Sequence, residues 1–381
     1  MKNGRISSKR NYKKFSYLVE KQNISSKKYT NYQTLILFLI VLTTCVVSEF
    51  YFKNSNLIIP FIASTLISSI ITFLGIPKLK KFKINQIIRK EGPKKHLIKQ
   101  GTPTMGGIFF IPVGIIISNI LYITKDDYKN ILILSFVIIS FMFIGFIDDF
   151  LSLKKQLNTG LKSKQKIILQ SFISVIFIII CALNNLLSYN IQIAGTDMYV
   201  GNLIYPLGVF VLLAESNSTN LTDGLDGLLS GCSVLIFTGL SIIILLDNSN
   251  SNTTLAPLCV VMAGACMGFL FLNKYPAKLF MGDSGSLAIG ASLGSIALIS
   301  NNLWSLLIMG GVLAAESISV IIQVSVYKIS KRIKGKGSKF FLMTPLHHHF
   351  ELQGNNETLI VSCFWLVTLL LVMTNLFFLR S

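Results

Sequence analysis

Apolar runs of membrane-spanning length recur along almost the whole chain, separated by polar connections. They fall at about 34–53, 57–76, 105–124, 130–147, 167–187, 201–216, 229–246, 255–272, 285–300, 304–327 and 357–379. A helix needs about 20 such residues to cross the hydrocarbon core. Lipid offers no partner to exposed backbone N–H and C=O groups, so each run is expected to be helical. A membrane β-barrel is excluded, because its strands would read as short alternating segments. The pattern predicts an all-α, polytopic integral membrane protein. Between two runs, residues 188–200 predict a small hairpin.

Composition agrees. Of 381 residues, 52% are hydrophobic and 13% charged, against roughly 25% charged in a soluble domain. A soluble enzyme, a disordered chain and a disulfide scaffold are all excluded. The six cysteines lie in or beside apolar runs with no C-x-x-C spacing, so neither a zinc site nor a disulfide framework is suggested. About thirty polar, basic residues precede the first run, which is not the pattern of a cleavable signal.

The net charge of +19, from 35 Lys and Arg against 16 Asp and Glu, is topological rather than a nucleic-acid signature. With the N-terminus in the cytosol, 31 of the 35 basic residues fall on the cytosolic side, leaving Lys53, Lys125, Lys129 and Arg380 outside; basic residues are retained in the cytosol. All four histidines and Asp148, Asp149, Asp223, Asp226 and Asp283 then lie at the same inner surface. A transporter would instead place ionisable groups near the bilayer midplane.

Five segments carry candidate chemistry. KQGTPTMGG (99–107) offers the Lys99 ammonium and the Thr102 and Thr104 hydroxyls at a helix start, which attracts anions; a plain loop-to-helix entry explains it equally well. FIDDF (146–150) pairs Asp148 with Asp149, costly at a membrane edge without a cation. Hard cations such as Mg²⁺ join carboxylates to substrate phosphates. Lys162, Lys164 and Lys166 follow, available to phosphates or lipid headgroups. NSTNLTDGLDGL (217–228) has no basic residue; Asp223 and Asp226 share a face if helical, and Asn217, Asn220 and Thr222 add hydrogen-bonding groups, while Gly224 permits close approach. In NKYPAKLFMGDSGSL (273–287), Asp283 is a third carboxylate for a cation and Phe280 serves either core packing or stacking on a planar ring. MTPLHHHFEL (343–352) presents three consecutive imidazoles, which cannot all meet one metal at i, i+4 spacing and are better donors to phosphate or sugar.

Taken in order, GTPTMGG, Asp148–Asp149, NLTDGLDGL, FMGDSGSLA, SVIIQV (319–324) and PLHHHFEL resemble the phospho-N-acetylmuramoyl-pentapeptide-transferase family, within the polyprenyl-phosphate N-acetylhexosamine-1-phosphate transferases. The resemblance covers about 57–379. It implies transfer of phospho-N-acetylmuramoyl-pentapeptide from its UDP donor to undecaprenyl phosphate, giving lipid I and UMP, with Mg²⁺, at the cytosolic face of a bacterial inner membrane, and a homodimer. It implies that Asp148, Asp149 and Asp283 are catalytic, with Asp283 and Asp149 at the metal. Lys99, Thr104, Lys164, Asn217, Asn220 and Asp223 are then implied at the substrate, as are Gly224, Asp226, Asn273, Phe280, Gln323, His347 and His348.

Three features depart from the family pattern. A Lys three residues after the aspartate pair is replaced by Ser152, so that Lys154 or Lys155 compensates or the Lys is dispensable. NAVNL reads NSTNL, with Ser218 and Thr219. The core has ten spans, so 1–33 is expected to be a basic cytosolic tail, 34–56 an added transmembrane helix and 57–381 the transferase domain. Competing expectations are a transferase of N-acetylglucosamine-1-phosphate and a non-catalytic lipid transporter.

Overall fold

The computed structural model describes residues 29–52, 55–82, 84, 99, 101–124, 128–155, 160–193, 196–246 and 255–378. Their elements are α1 (Tyr29–Tyr51), α2 (Ile58–Lys81), α3 (Gly107–Tyr122), α4 (Tyr128–Lys155), α5 (Ser163–Leu183), strands β1 (Asn190–Ile193) and β2 (Thr196–Tyr199), then α6 (Ile204–Thr222), α7 (Leu228–Leu246), α8 (Leu255–Asn273), α9 (Asp283–Ile299), α10 (Leu303–Met309), α11 (Gly311–Lys334), α12 (Leu346–Leu352) and α13 (Glu357–Phe378). Eight of these helices are long and apolar enough to cross a membrane, with α3 and α9 shorter but apolar. The architecture is all-α and polytopic. The expected hairpin forms from β1 and β2, antiparallel with Asn190 opposite Tyr199.

Helices α7, α8 and α9 form the centre, buried along nearly their whole lengths. Around them α2 packs on α8, α4 and α6 on α9, and α13 on α7. Such contacts between apolar helices rest on close packing rather than on expulsion of water, and small residues permit it. Gly264 and Gly268 of α8 show this: a Cβ at either would meet the α2 backbone or Ser64 at under 3 Å. The outer helices turn Ile59, Phe73, Ile168 and Phe172 outward, as a lipid-facing surface requires.

Three boundaries differ from expectation. The run 304–327 is two helices, α10 and α11, separated at Gly310, where the Gly310–Gly311 pair lowers the cost of a break. Helix α4 continues past the predicted end to Lys155, so the aspartate pair sits inside a helix. Helix α6 continues to Thr222, carrying Asn217 and Asn220 on it.

Helix α1 buries Thr30, Thr34, Leu37, Val41, Cys45 and Ser48, a 4-3 stripe, against the bundle. Phe38 stacks on Phe61 of α2 at 5.6 Å between centroids. At its start, Thr30 Oγ1 donates to the Tyr275 carbonyl at 2.8 Å, and Lys274 Nζ donates to Thr34 Oγ1 at 3.2 Å. The first turn of α1 therefore lies beside the α8–α9 connection. Of the expected tail, 1–33, residues 1–28 lie outside the described residues, and 29–33 form the first turn of α1 instead.

Candidate active site

The carboxylates meet at the start of α9. Gly145 lets α4 approach it: a Cβ there would lie 2.1 Å from the Asp283 carbonyl oxygen. One turn further, Asp149 Oδ1 accepts from the Asp283 N–H at 3.0 Å and Oδ2 from the Ser284 N–H at 3.1 Å. Two of the four N–H groups that a helix start leaves unsatisfied are thereby paired with a charge that the helix dipole favours. Asp148 lies against the Asp283 carboxyl, and its Oδ1 accepts from the Leu161 N–H at 2.9 Å. Asp283 itself accepts from Asn220 Nδ2 at 2.7 Å and is ion-paired through Oδ2 with Lys166. Three carboxylates thus share one ammonium.

A second cluster lies on the α6–α7 turn. Lys99 Nζ contacts Asp226 Oδ1 at 2.7 Å and Glu357 Oε1 at 2.5 Å. Asp226 Oδ2 accepts from the Ala277 N–H at 2.9 Å, and its own N–H donates to Glu357 at 2.8 Å. Burial alone would lower the Lys99 pKa, but Glu357 and Asp226 outweigh it and hold the ammonium above its ordinary value. Asp223 stands between the clusters, at the end of α6 rather than on a helical face with Asp226. Withdrawal from water, then the charges of Asp283 and Asp226, push its pKa from 3.8 to about 8.

The histidine segment closes over this turn. Gln323 of α11 accepts from the Phe340 and Phe341 N–H groups at 3.0 and 2.9 Å and donates to the Phe341 carbonyl, fixing the approach to α12. His347 is buried, with its ring against Gly224. His348 Nδ1 meets Glu351 Oε2 at 2.7 Å.

The structure therefore brings Asp148, Asp149, Asp283, Asn220, Asp223, Gly224, Asp226, Lys99 and His347 to one end of the bundle. The remaining expected residues make the following contacts. Lys164 is exposed on the first turn of α5, and Lys166 is the lysine that reaches the carboxylates, half a turn further round. Neither Lys154 nor Lys155 replaces the lysine missing at Ser152 in that cluster: Lys154 is exposed, and Lys155 donates to the Gly160 carbonyl at 2.7 Å. Asn273 is buried, accepting from Gly227 N–H and Ser230 Oγ and donating to the Leu279 carbonyl; it ties α7 to α8 rather than lining open space. Asn217 donates to Gln170 Oε1 at 2.9 Å, joining α6 to α5. Asp149 turns both oxygens to α9, which leaves Asp148 as the better placed partner of Asp283 for a cation. Among the described residues no three acidic, His or Cys groups form a ready-made metal site.

Thr104 is buried, its Oγ1 near the position a Cβ on Gly282 would occupy. Phe280 is half-buried, its backbone laced to Pro103 and Gly106 at 2.9 Å each. Ser218 accepts from Ser317 of α11, and Thr219 donates into α9 at Ser286, so both departures from the family pattern serve helix packing. Glu357 and Glu316 were missed by sequence reasoning. Glu316 had a signal, a charge within an apolar run; Glu357 had none.

Comparison with known proteins places this geometry in a family. Residues 131–301 match the description of glycosyl transferase family 4, and residues 99–111 match phospho-N-acetylmuramoyl-pentapeptide-transferase signature 1. A phospho-N-acetylmuramoyl-pentapeptide-transferase of Prochlorococcus marinus (strain NATL2A) is 75% identical, over 96% of this chain and 99% of its own. Enzymes of the same name from Synechococcus sp. (strain CC9311) and Synechococcus sp. (strain CC9605) are 46% and 47% identical, each over 90% of this chain and over 93% and 98% of their own. Identity at that level over essentially full length settles the assignment. The chain belongs to the phospho-N-acetylmuramoyl-pentapeptide-transferase family.

Proposed function

We propose that this multi-pass membrane transferase moves phospho-N-acetylmuramoyl-pentapeptide from its UDP donor to undecaprenyl phosphate, releasing UMP and forming lipid I. In this reading the reaction runs at the cytosolic face of the bacterial inner membrane. The observation that carries the reading is the convergence of Asp148, Asp283, Lys166 and Asn220 at one end of the bundle, with Asp223 beside them. The same end receives the first turn of α1 through Tyr275, which together with the bias of basic residues in the sequence supports a cytosolic N-terminus and α1 as a helix added to the core.

Mg²⁺ fits the residues present. The donors are all oxygens, which suits a hard cation, and the cluster already draws one cation, the Lys166 ammonium, onto Asp283. Asp283 and Asp148 would hold the ion, and once bound it would neutralise charge on the diphosphate. The remaining chemistry belongs to the chain. Phosphoryl transfer is mostly positioning and charge stabilisation. Asn220 orients Asp283, Leu161 N–H orients Asp148, and Asp149 anchors the helix that carries Asp283. In the favoured single-step route an oxygen of the lipid phosphate forms a bond to the β-phosphorus, and the pyrophosphate bond breaks with its electron pair leaving on UMP. The lipid phosphate has a second pKa of about 6 and is largely dianionic already, so Asp148 acts through charge more than as a base. In this reading Phe280 stacks on the uracil.

The test is release of labelled UMP by the purified chain with undecaprenyl phosphate and Mg²⁺. Release from the muramoyl-pentapeptide donor and not from UDP-N-acetylglucosamine is expected, with loss on chelation and recovery on adding Mg²⁺. The opposite donor preference would reassign the chain to the sister transferases, and no release from either would revive a transporter.

A further inference from the structure

Glu316 lies in the apolar part of α11 and is fully buried. A carboxylate there is costly unless it is paired and hydrogen-bonded, and its partner is a single residue. Glu316 Oε1 accepts the His347 main-chain N–H and faces the ring Nδ1, both at 3.2 Å. An imidazole nitrogen that faces a carboxylate carries the proton, so the hydrogen bond selects which ring edge is left for other work. That edge is Nε2. It is buried, has no partner among the described residues, and is turned to Gly224: a Cβ there would lie 2.1 Å from it. Gly224 follows Asp223, so the imidazole edge meets the α6–α7 turn next to that residue. The arrangement recurs next door. Glu351 holds His348 through Nδ1, and the two rings lie 4.2 Å apart.

We infer that Glu316 is a positioning residue for the transfer: it holds His347 with the proton on Nδ1 and its Nε2 edge on the 223–225 turn, where a polar group of the nucleotide-sugar donor completes the bond. The inference rests on the reading above that this end of the bundle receives the donor. A bare cross-link between α11 and α12 would need only one contact. Here one carboxylate oxygen fixes backbone and ring of the same histidine, and the opposite ring nitrogen is left buried without a partner.

The full-length chain, reconstituted in lipid, tests this with Glu316→Leu, Glu316→Gln, His347→Ala and the double variant Glu316→Leu/His347→Ala. Glu316→Leu is expected to raise the KM for the UDP donor and weaken UMP binding by calorimetry, each by about tenfold, as when the partner orienting an imidazole is removed. The KM for polyprenyl phosphate is expected to stay unchanged. Glu316→Gln keeps an acceptor for Nδ1–H and is expected to restore most of the loss. The double variant is expected to be no worse than His347→Ala alone, since coupled residues are non-additive. Gly224→Ala sets a methyl on Nε2 without touching Glu316, so it tests the same edge if Glu316→Leu does not fold. An unchanged donor KM in Glu316→Leu, multiplying effects in the double variant, or a Gly224→Ala enzyme with unaltered donor KM would each overturn the inference. Nitrogen-15 shifts of His347 read the tautomer without turnover: an Nδ1-protonated ring is expected, lost in Glu316→Leu. A wild-type chain that shows this tautomer but releases no UMP would count against the functional reading and not against the pair.

Discussion

Replacing Asp149 separates two roles that adjacent aspartates are easily assumed to share. Both Asp149 oxygens accept backbone N–H groups of the first turn of α9, at 3.0 and 3.1 Å. Asp149→Ala leaves both donors without acceptors. A buried donor left so costs about 1–3 kcal/mol, and losing a helix cap costs about 0.5–2 kcal/mol. With the side chain half-buried, the expected loss is about 2 kcal/mol. Asp149→Asn keeps one carbonyl acceptor and is expected to lose about half as much, near 1 kcal/mol. Asp283, at the first position of α9, loses its fixed orientation in both. The chain in detergent is expected to unfold at lower temperature in the order wild type, Asn, Ala. UMP release is expected to fall in the same order but to remain measurable in Asp149→Asn, whereas Asp283→Asn abolishes it. An Asp149→Asn protein with wild-type thermal stability and no turnover would refute the reasoning, because it would show direct chemistry at Asp149 rather than support of α9.

Three further outcomes follow from the same geometry. Lys166→Met is expected to lower turnover by about a hundredfold, equivalent to about 2.7 kcal/mol of charge compensation, while Lys164→Met stays close to wild type; equal losses in UMP release would contradict the pairing with Asp283. Asp223 has its folded pKa raised to about 8 from 3.8, so between those values the folded state holds a proton that the unfolded chain has lost, and stability falls as pH rises through that window. Asp223→Asn is therefore expected to flatten the fall in unfolding temperature between about pH 4 and about pH 8, measured in scans of both proteins; parallel curves would count against it. A reporter fused ahead of residue 2 is expected to be active only if of the cytosolic type, since the first turn of α1 meets Tyr275 at the site end; an exterior signal would overturn the orientation.

The order of apolar runs and the placement of basic residues determined the fold class, the hairpin and the expected orientation by themselves. They depend on hydropathy and length, which are local properties of the chain. The aspartates and the histidine segment were legible for a related reason: polar groups at the edge of apolar helices are conspicuous. Their division of labour was not legible. Asp148 and Asp149 are neighbours in sequence, yet a helix turns successive side chains about 100° apart, so one meets Asp283 and the other the backbone of α9. Lys164 and Lys166 look alike in the sequence, and only the rotation of α5 toward Asp283 at the start of α9 selects the second. Lys99, Asp226 and Glu357 lie up to 258 positions apart, and nothing local links them. The packing of α13 and the α6–α7 turn around a shared ammonium brings them together, because neither carboxylate can be buried there without it.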